Sequence, residues 1–84
     1  MDKEWNYSYL VQLFLELRGR GLSLSSADLE IVQLWKKEGI NPDFAADVMQ
    51  EMAREYAQLG RVFPATIAPV ARRVKQSLKQ RHEF

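Results

Sequence analysis

Charged residues at helical spacing are where chemistry could reside in this 84-residue sequence. Asp43, Asp47, Glu51 and Glu55 recur every fourth position. On a helix that spacing stacks four carboxylates down one flank. Paired carboxylates can serve as general acid and base, but only when one is desolvated and shifted in pKa. A solvated flank does not do that. Arg72, Lys75 and Lys79 form a second set, with Arg61, Arg73 and Arg81 nearby in the sequence. Cations in such an array suit phosphates or acidic partners. His82 is the single histidine, and there is no cysteine. A lone imidazole at the third-last position builds neither a triad nor a typical zinc site. No Gly-rich phosphate loop is present. The expectation is a protein that is not an enzyme and carries no cofactor or metal.

The charge is unevenly distributed. The net value is +1, yet residues 1–60 carry six Lys/Arg against ten Asp/Glu, and residues 61–84 carry six against one. Either the basic end meets an external polyanion, or it complements the acidic helix within the fold.

Four helices are predicted to position these groups, over residues 3–18, 26–38, 42–59 and 66–80, followed by a frayed tail at 81–84. In the first, Asp2 is the N-cap candidate. Tyr9, Leu13, Leu17, Leu10 and Phe14 follow one another around one side. Tyr7, Val11 and Leu15 continue around the next, leaving only Ser8, Gln12 and Glu16 as a polar edge. A helix apolar over that much of its circumference must be covered on two sides. It is either the centre of the bundle or half of a homodimer through Tyr7, Val11 and Leu15. Gly19 stops it; the Arg18-Gly19-Arg20-Gly21 run reads as a C-cap in preference to an RNA-binding RG segment.

The later boundaries are also marked. Ser25 with Asp28 three residues on predicts a capping box, flanked by a Leu24–Leu29 staple. Ala27, Ile31, Val32, Leu34 and Trp35 are expected inside the second helix. Gly39 and Ile40 are expected to close it as a Schellman turn. Asn41-Pro42 opens the third, whose expected core face is Phe44, Ala45, Val48, Met49, Met52, Tyr56 and Leu59. Like charges on its acidic flank repel by roughly 0.2–0.5 kcal/mol per pair. That predicts a counter-charge, Glu51 or Glu55 meeting Arg72 or Lys75. In the fourth helix Pro69 falls in the first turn, where its missing N–H costs nothing. Ile67, Val70, Ala71, Val74 and Leu78 make its apolar stripe.

The fold class expected is therefore all-α: a single compact four-helix domain, orthogonal or up-down. Hydrophobic residues at 46% and charged residues at 27% fit a soluble domain of that kind. The absence of cysteine and of a signal-like N-terminus predicts a cytoplasmic protein with no membrane segment. The second and third helices resemble a helix-turn-helix in outline, but the acidic flank of the third would repel DNA, and a plain αα-hairpin is expected.

The run Leu24-Ser25, Leu34-Trp35-Lys36-Lys37-Glu38-Gly39-Ile40, Val48, Phe63 and Ile67 resembles the C-terminal helical module of DnaD-type bacterial replication-initiation proteins. The likeness covers residues 22–81. Phe63 stands where that family has tyrosine, Ile67 matches, and Ala71 replaces the family's tryptophan. The resemblance implies a small accessory protein binding DNA without sequence preference through its last helix and basic tail. On this chain those residues are Arg61, Arg72, Arg73, Lys75, Lys79 and Arg81. The alternative is a homodimeric protein–protein adaptor with no nucleic-acid role. No small-molecule substrate is evident.

Overall fold

The computed structural model describes residues 7–19 and 24–81, apart from the side chain of Arg81. Asp2 and the expected start of the first helix at residue 3 lie outside those residues. So do Arg20, Gly21, His82 and the rest of the tail. The described residues form four helices: α1 (Ser8–Arg18), α2 (Ser26–Glu38), α3 (Pro42–Gln58) and α4 (Ala68–Arg81). No strand occurs among the described residues. The domain is all-α, and none of these helices is long and apolar enough to cross a membrane.

The helix ends follow local chemistry. Ser25 caps α2, its hydroxyl accepting the Asp28 N–H at 3.2 Å. Asn41 caps α3, its Oδ1 accepting the Asp43 N–H at 2.8 Å. Gly39 has φ +73°. Its N–H donates to the Lys36 carbonyl at 3.3 Å, and that of Ile40 to Trp35 at 2.9 Å. This is the double bond pattern of a Schellman turn. The same pattern ends α3: Gly60 donates to Ala57 at 3.1 Å and Arg61 to Tyr56 at 2.8 Å. Gly19, at φ +75°, closes α1 with a bond to the Leu15 carbonyl at 3.0 Å.

Helix α3, not α1, occupies the middle. It packs on α1 along one side and α4 along another, while α2 packs on α4. It buries Ala45, Ala46, Val48, Met49 and Met52, where α1 fully buries Leu10 and Phe14. Ile67, immediately before α4, and Val70 and Val74 within it complete the centre. Phe63, just before α4, meets the Phe14 ring edge-on at 6.0 Å and the Tyr56 ring at 6.1 Å. Arg18 covers Phe14 with its guanidinium 5.4 Å from the ring centre, and donates to the Ala65 carbonyl at 3.3 Å.

The two-sided covering expected of α1 is only partly achieved. Val11 and Leu15 are half-buried. Tyr7 is buried, and its hydroxyl donates to the carbonyl of Ile40, with that of Trp35 at 3.4 Å. It is therefore a strut between α1 and the end of α2, not a side chain held out to a partner. Burial pushes its phenol pKa up, because a phenolate there would lose its hydration.

Several expected core positions are exposed instead. Tyr9 and Leu34 are about half exposed, Leu29 similarly so, and Leu59 is 69% exposed. Ala27 is exposed as well. Leu29 follows its helical phase outward, so the staple does not bury both leucines. Leu59 is the C-cap residue of α3, at the point where the chain turns away.

Asp28 corrects the capping-box expectation. It is 1% exposed. Its Oδ1 accepts the N–H of Ile67, 39 positions away, at 2.9 Å. Ile67 stands immediately before α4, and its carbonyl accepts the Ala71 N–H at 2.9 Å. The carboxylate thus caps a different helix from the one that carries it. It lies in the first turn of α2 and at the start of α4, so its carboxyl group stands at two helix N-termini, where backbone N–H groups lack helical acceptors. The start of α4 at Ala68, two residues later than Thr66, coincides with this anchor.

Candidate binding face of the last helix

Each turn of α4 presents a different side to the fold. Ile67, Val70 and Val74 point to the core. Arg73, one position back from Val74, leans towards α3. Its Nη2 lies 2.7 Å from Glu55 Oε1 and its Nη1 3.1 Å from Glu55 Oε2, a two-pronged contact. Glu51 Oε1 is 3.5 Å from the same Nη1. The hydrogen bond from Arg73 holds the Glu55 carboxyl below its usual range, and raises the guanidinium's pKa in turn.

The expected counter-charge to the acidic flank therefore exists, but Arg73 supplies it. Arg72 and Lys75 do not. Helical phase explains this: neighbouring residues lie about 100° apart, so Arg73 can face α3 only if Arg72 faces away. Arg73, one of the residues expected to meet nucleic acid, is thereby engaged with α3.

Arg72, Lys75 and Lys79 remain exposed along the other flank, at positions i, i+3 and i+7. None of the three pairs with an acid among the described residues. Arg61 is exposed in the turn after α3, beside Val62, which is 73% exposed. The Arg81 side chain is outside the described ones.

Beside the cations runs a groove of about 270 Å³ between α2 and α4. Ile31, Leu34 and Trp35 form one wall, and Ala71, Val74 and Leu78 the other. Arg72 and Lys75 stand on it from α4 and Glu38 from α2. The groove was not anticipated from periodicity. Leu34 looked like a core residue, and only the packing of α2 on α4 leaves it half exposed. A second, wider cleft of about 510 Å³ lies between α1 and α2, with Val11, Leu15 and Val32 on its walls and Gln12, Gln33 and Lys36 among its polar lining.

Asp28 was recognised as a capping residue but not as one acting at long range. One signal pointed there: α4 begins after an isoleucine, with no Ser, Thr, Asp or Asn at the cap position. Such a start needs an acceptor from elsewhere. Among the described residues, no three His, Asp or Glu side chains lie close enough together to hold a metal ion.

Comparison with protein-family models, with curated proteins and with solved structures gives no match.

Proposed function

We propose that this chain is a small helical accessory protein of nucleic-acid metabolism that binds DNA without sequence preference through α4. The observation that carries the reading is the row Arg72, Lys75 and Lys79, exposed on one flank and unpaired among the described residues. The likeness of residues 22–81 to DnaD-type modules supports the same reading. Three cations on one flank can each neutralise a phosphate and release counterions. The slope of log affinity against log salt is then about −0.9 per contact, roughly −3 for the row. Removing Arg73 from the set limits the slope, since that guanidinium is held by Glu55 and Glu51.

The test is fluorescence anisotropy of a labelled oligonucleotide over a salt series. The wild type is expected to bind at about 10⁻⁴ to 10⁻⁶ M near physiological salt. Replacing Arg72, Lys75 and Lys79 together by glutamine should flatten the slope by about three while keeping helical content, because glutamine is an adequate helix former. No binding at low salt ends the nucleic-acid reading. An unchanged slope in the triple variant moves the site off α4.

A second reading is favoured by one observation, the half-buried Val11 and Leu15 along the open cleft of α1 and α2. A second copy of the chain covering that cleft makes the protein a homodimeric adaptor. The wild type should then sediment as a dimer, and Leu15→Glu as a folded monomer. A wild-type monomer at about 100 µM, a concentration well above the Kd of a standard protein interface, ends this reading.

A further inference from the structure

We propose that the groove between α2 and α4 is a docking site for an amphipathic helix of a partner protein, apolar along one face and acidic along its edge. This goes beyond DNA binding by the same helix.

The walls have the periodicity that such an occupant requires. On α2 the lining positions are 31, 34, 35 and 38; on α4 they are 71, 72, 74, 75 and 78. Both sets contain the repeat i, i+3, i+4, i+7. Two ridges of that spacing leave a furrow into which a third helix can lay side chains of the same repeat. The volume, about 270 Å³, lies at the low end of the roughly 300–1,000 Å³ of pockets that enclose a small ligand. Leu34, on the lip, is 51% exposed among the described residues.

Charge selects the occupant. Arg72 and Lys75 flank the apolar stripe against a single carboxylate, Glu38, and Lys79 extends the row by one turn. A nucleic-acid backbone would satisfy the cations but leave Leu34, Ile31 and Leu78 wet. A purely acidic tail would do the same. A second copy of this chain does not fit either. Its acidic helix is α3, whose apolar face is already buried as Ala45, Met49 and Met52 in its own core. The chemistry left is a foreign helix with leucine-like anchors and Asp or Glu beside them.

Arg72 and Lys75 serve both DNA and the proposed helix, so the variants that separate the two are apolar. Ala71→Trp places an indole in the groove. Leu34→Gln changes an exposed position and does not threaten the fold, so it carries the test even where the larger substitution perturbs folding. A display library of helical peptides is selected against the wild-type protein, and the enriched peptides are measured by anisotropy. The expected consensus has Leu, Ile or Phe at i, i+3 or i+4, and i+7, with Asp or Glu along one edge. Affinity should fall tenfold or more in Ala71→Trp and severalfold in Leu34→Gln, while the salt slope for DNA stays as in the wild type. Selection without an acidic–apolar consensus overturns the proposal. So does a consensus peptide that binds both variants like the wild type. Peptides that keep binding after their apolar anchors become serine, and that an oligonucleotide displaces, overturn the groove while leaving DNA binding by α4 standing.

Discussion

Replacing Asp28 by alanine removes the acceptor that anchors the start of α4. In the native fold Oδ1 takes the Ile67 N–H at 2.9 Å, within a site where the residue is 1% exposed. A hydrogen bond to a charged group contributes about 1.5–3 kcal/mol, and loss of a helix-capping side chain costs about 0.5–2 kcal/mol. These describe the same contact and are not summed. Against them stands a gain. Oδ2 is buried with no partner among the described residues, and alanine relieves that burden. The net loss expected is about 1–3 kcal/mol, near the middle of the range for breaking a buried polar contact. For a domain of this size each kcal/mol lowers Tm by about 4–8 °C, so the fall should be about 4–24 °C. Asp28→Asn keeps the Oδ1 acceptor and should recover part of the loss, although its amide brings donors to the place where Oδ2 has no partner. Urea denaturation followed by far-UV circular dichroism measures both variants, and the midpoint should fall without a change in m. An alanine variant within about 0.5 kcal/mol of the wild type, the usual scale of a neutral surface exchange, would refute the long-range cap. An asparagine variant no better than alanine would show that charge, not the acceptor, is what α4 uses.

Tyr7→Phe should cost about 1 kcal/mol at neutral pH by losing the hydroxyl bond to the Ile40 carbonyl. Because burial raises the folded-state pKa of Tyr7, its contribution is complete below the ordinary phenol range near 10 and declines as pH rises through the folded value. The gap between wild type and Tyr7→Phe in urea midpoint should therefore close at alkaline pH; a constant gap from pH 7 to 11 would contradict the burial argument. Glu55 has the opposite sign: Arg73 lowers its folded-state pKa, so its contribution is present above the ordinary carboxylate range near 4.3 and is lost as pH falls through the folded value. Glu55→Gln should show a shallower loss of stability than the wild type over pH 5 to 2, and identical acid profiles would remove Arg73–Glu55 from any role in holding α3 to α4.

What the sequence determined by itself was everything that acts within about one helical turn. Ser25 and Asn41 each cap a helix through an N–H two or three residues on. Gly39 and Gly60 end helices because the left-handed turn they adopt excludes most side chains. These interactions need no knowledge of the rest of the chain, so the all-α class, two N-terminal helix ends and three of the four C-terminal ones were legible. The N-terminal face of α1 was legible as excessively apolar, but not what would cover it. Periodicity identifies an apolar face; it does not measure how far a neighbour reaches across that face. Leu34 and Trp35 both read as part of the apolar side of α2, yet Trp35 is buried and Leu34 stays half exposed on the lip of a groove. The charge pairing shows the same limit. That α3 needed a counter-charge followed from its own spacing, but the choice of Arg73 over Arg72 or Lys75 depended on the rotation of α4 about its axis. The packing of Val70 and Val74 in the core sets that rotation. Asp28 marks the limit most sharply. Its carboxylate was assigned to its own helix because local hydrogen bonds are the ones a sequence exposes. Only the approach of α2 to α4 placed an unpaired N–H within its reach, 39 residues away. The flank of α4 proposed to bind, with Arg72, Lys75 and Lys79 unpaired among the described residues beside an apolar furrow, is likewise a product of that packing.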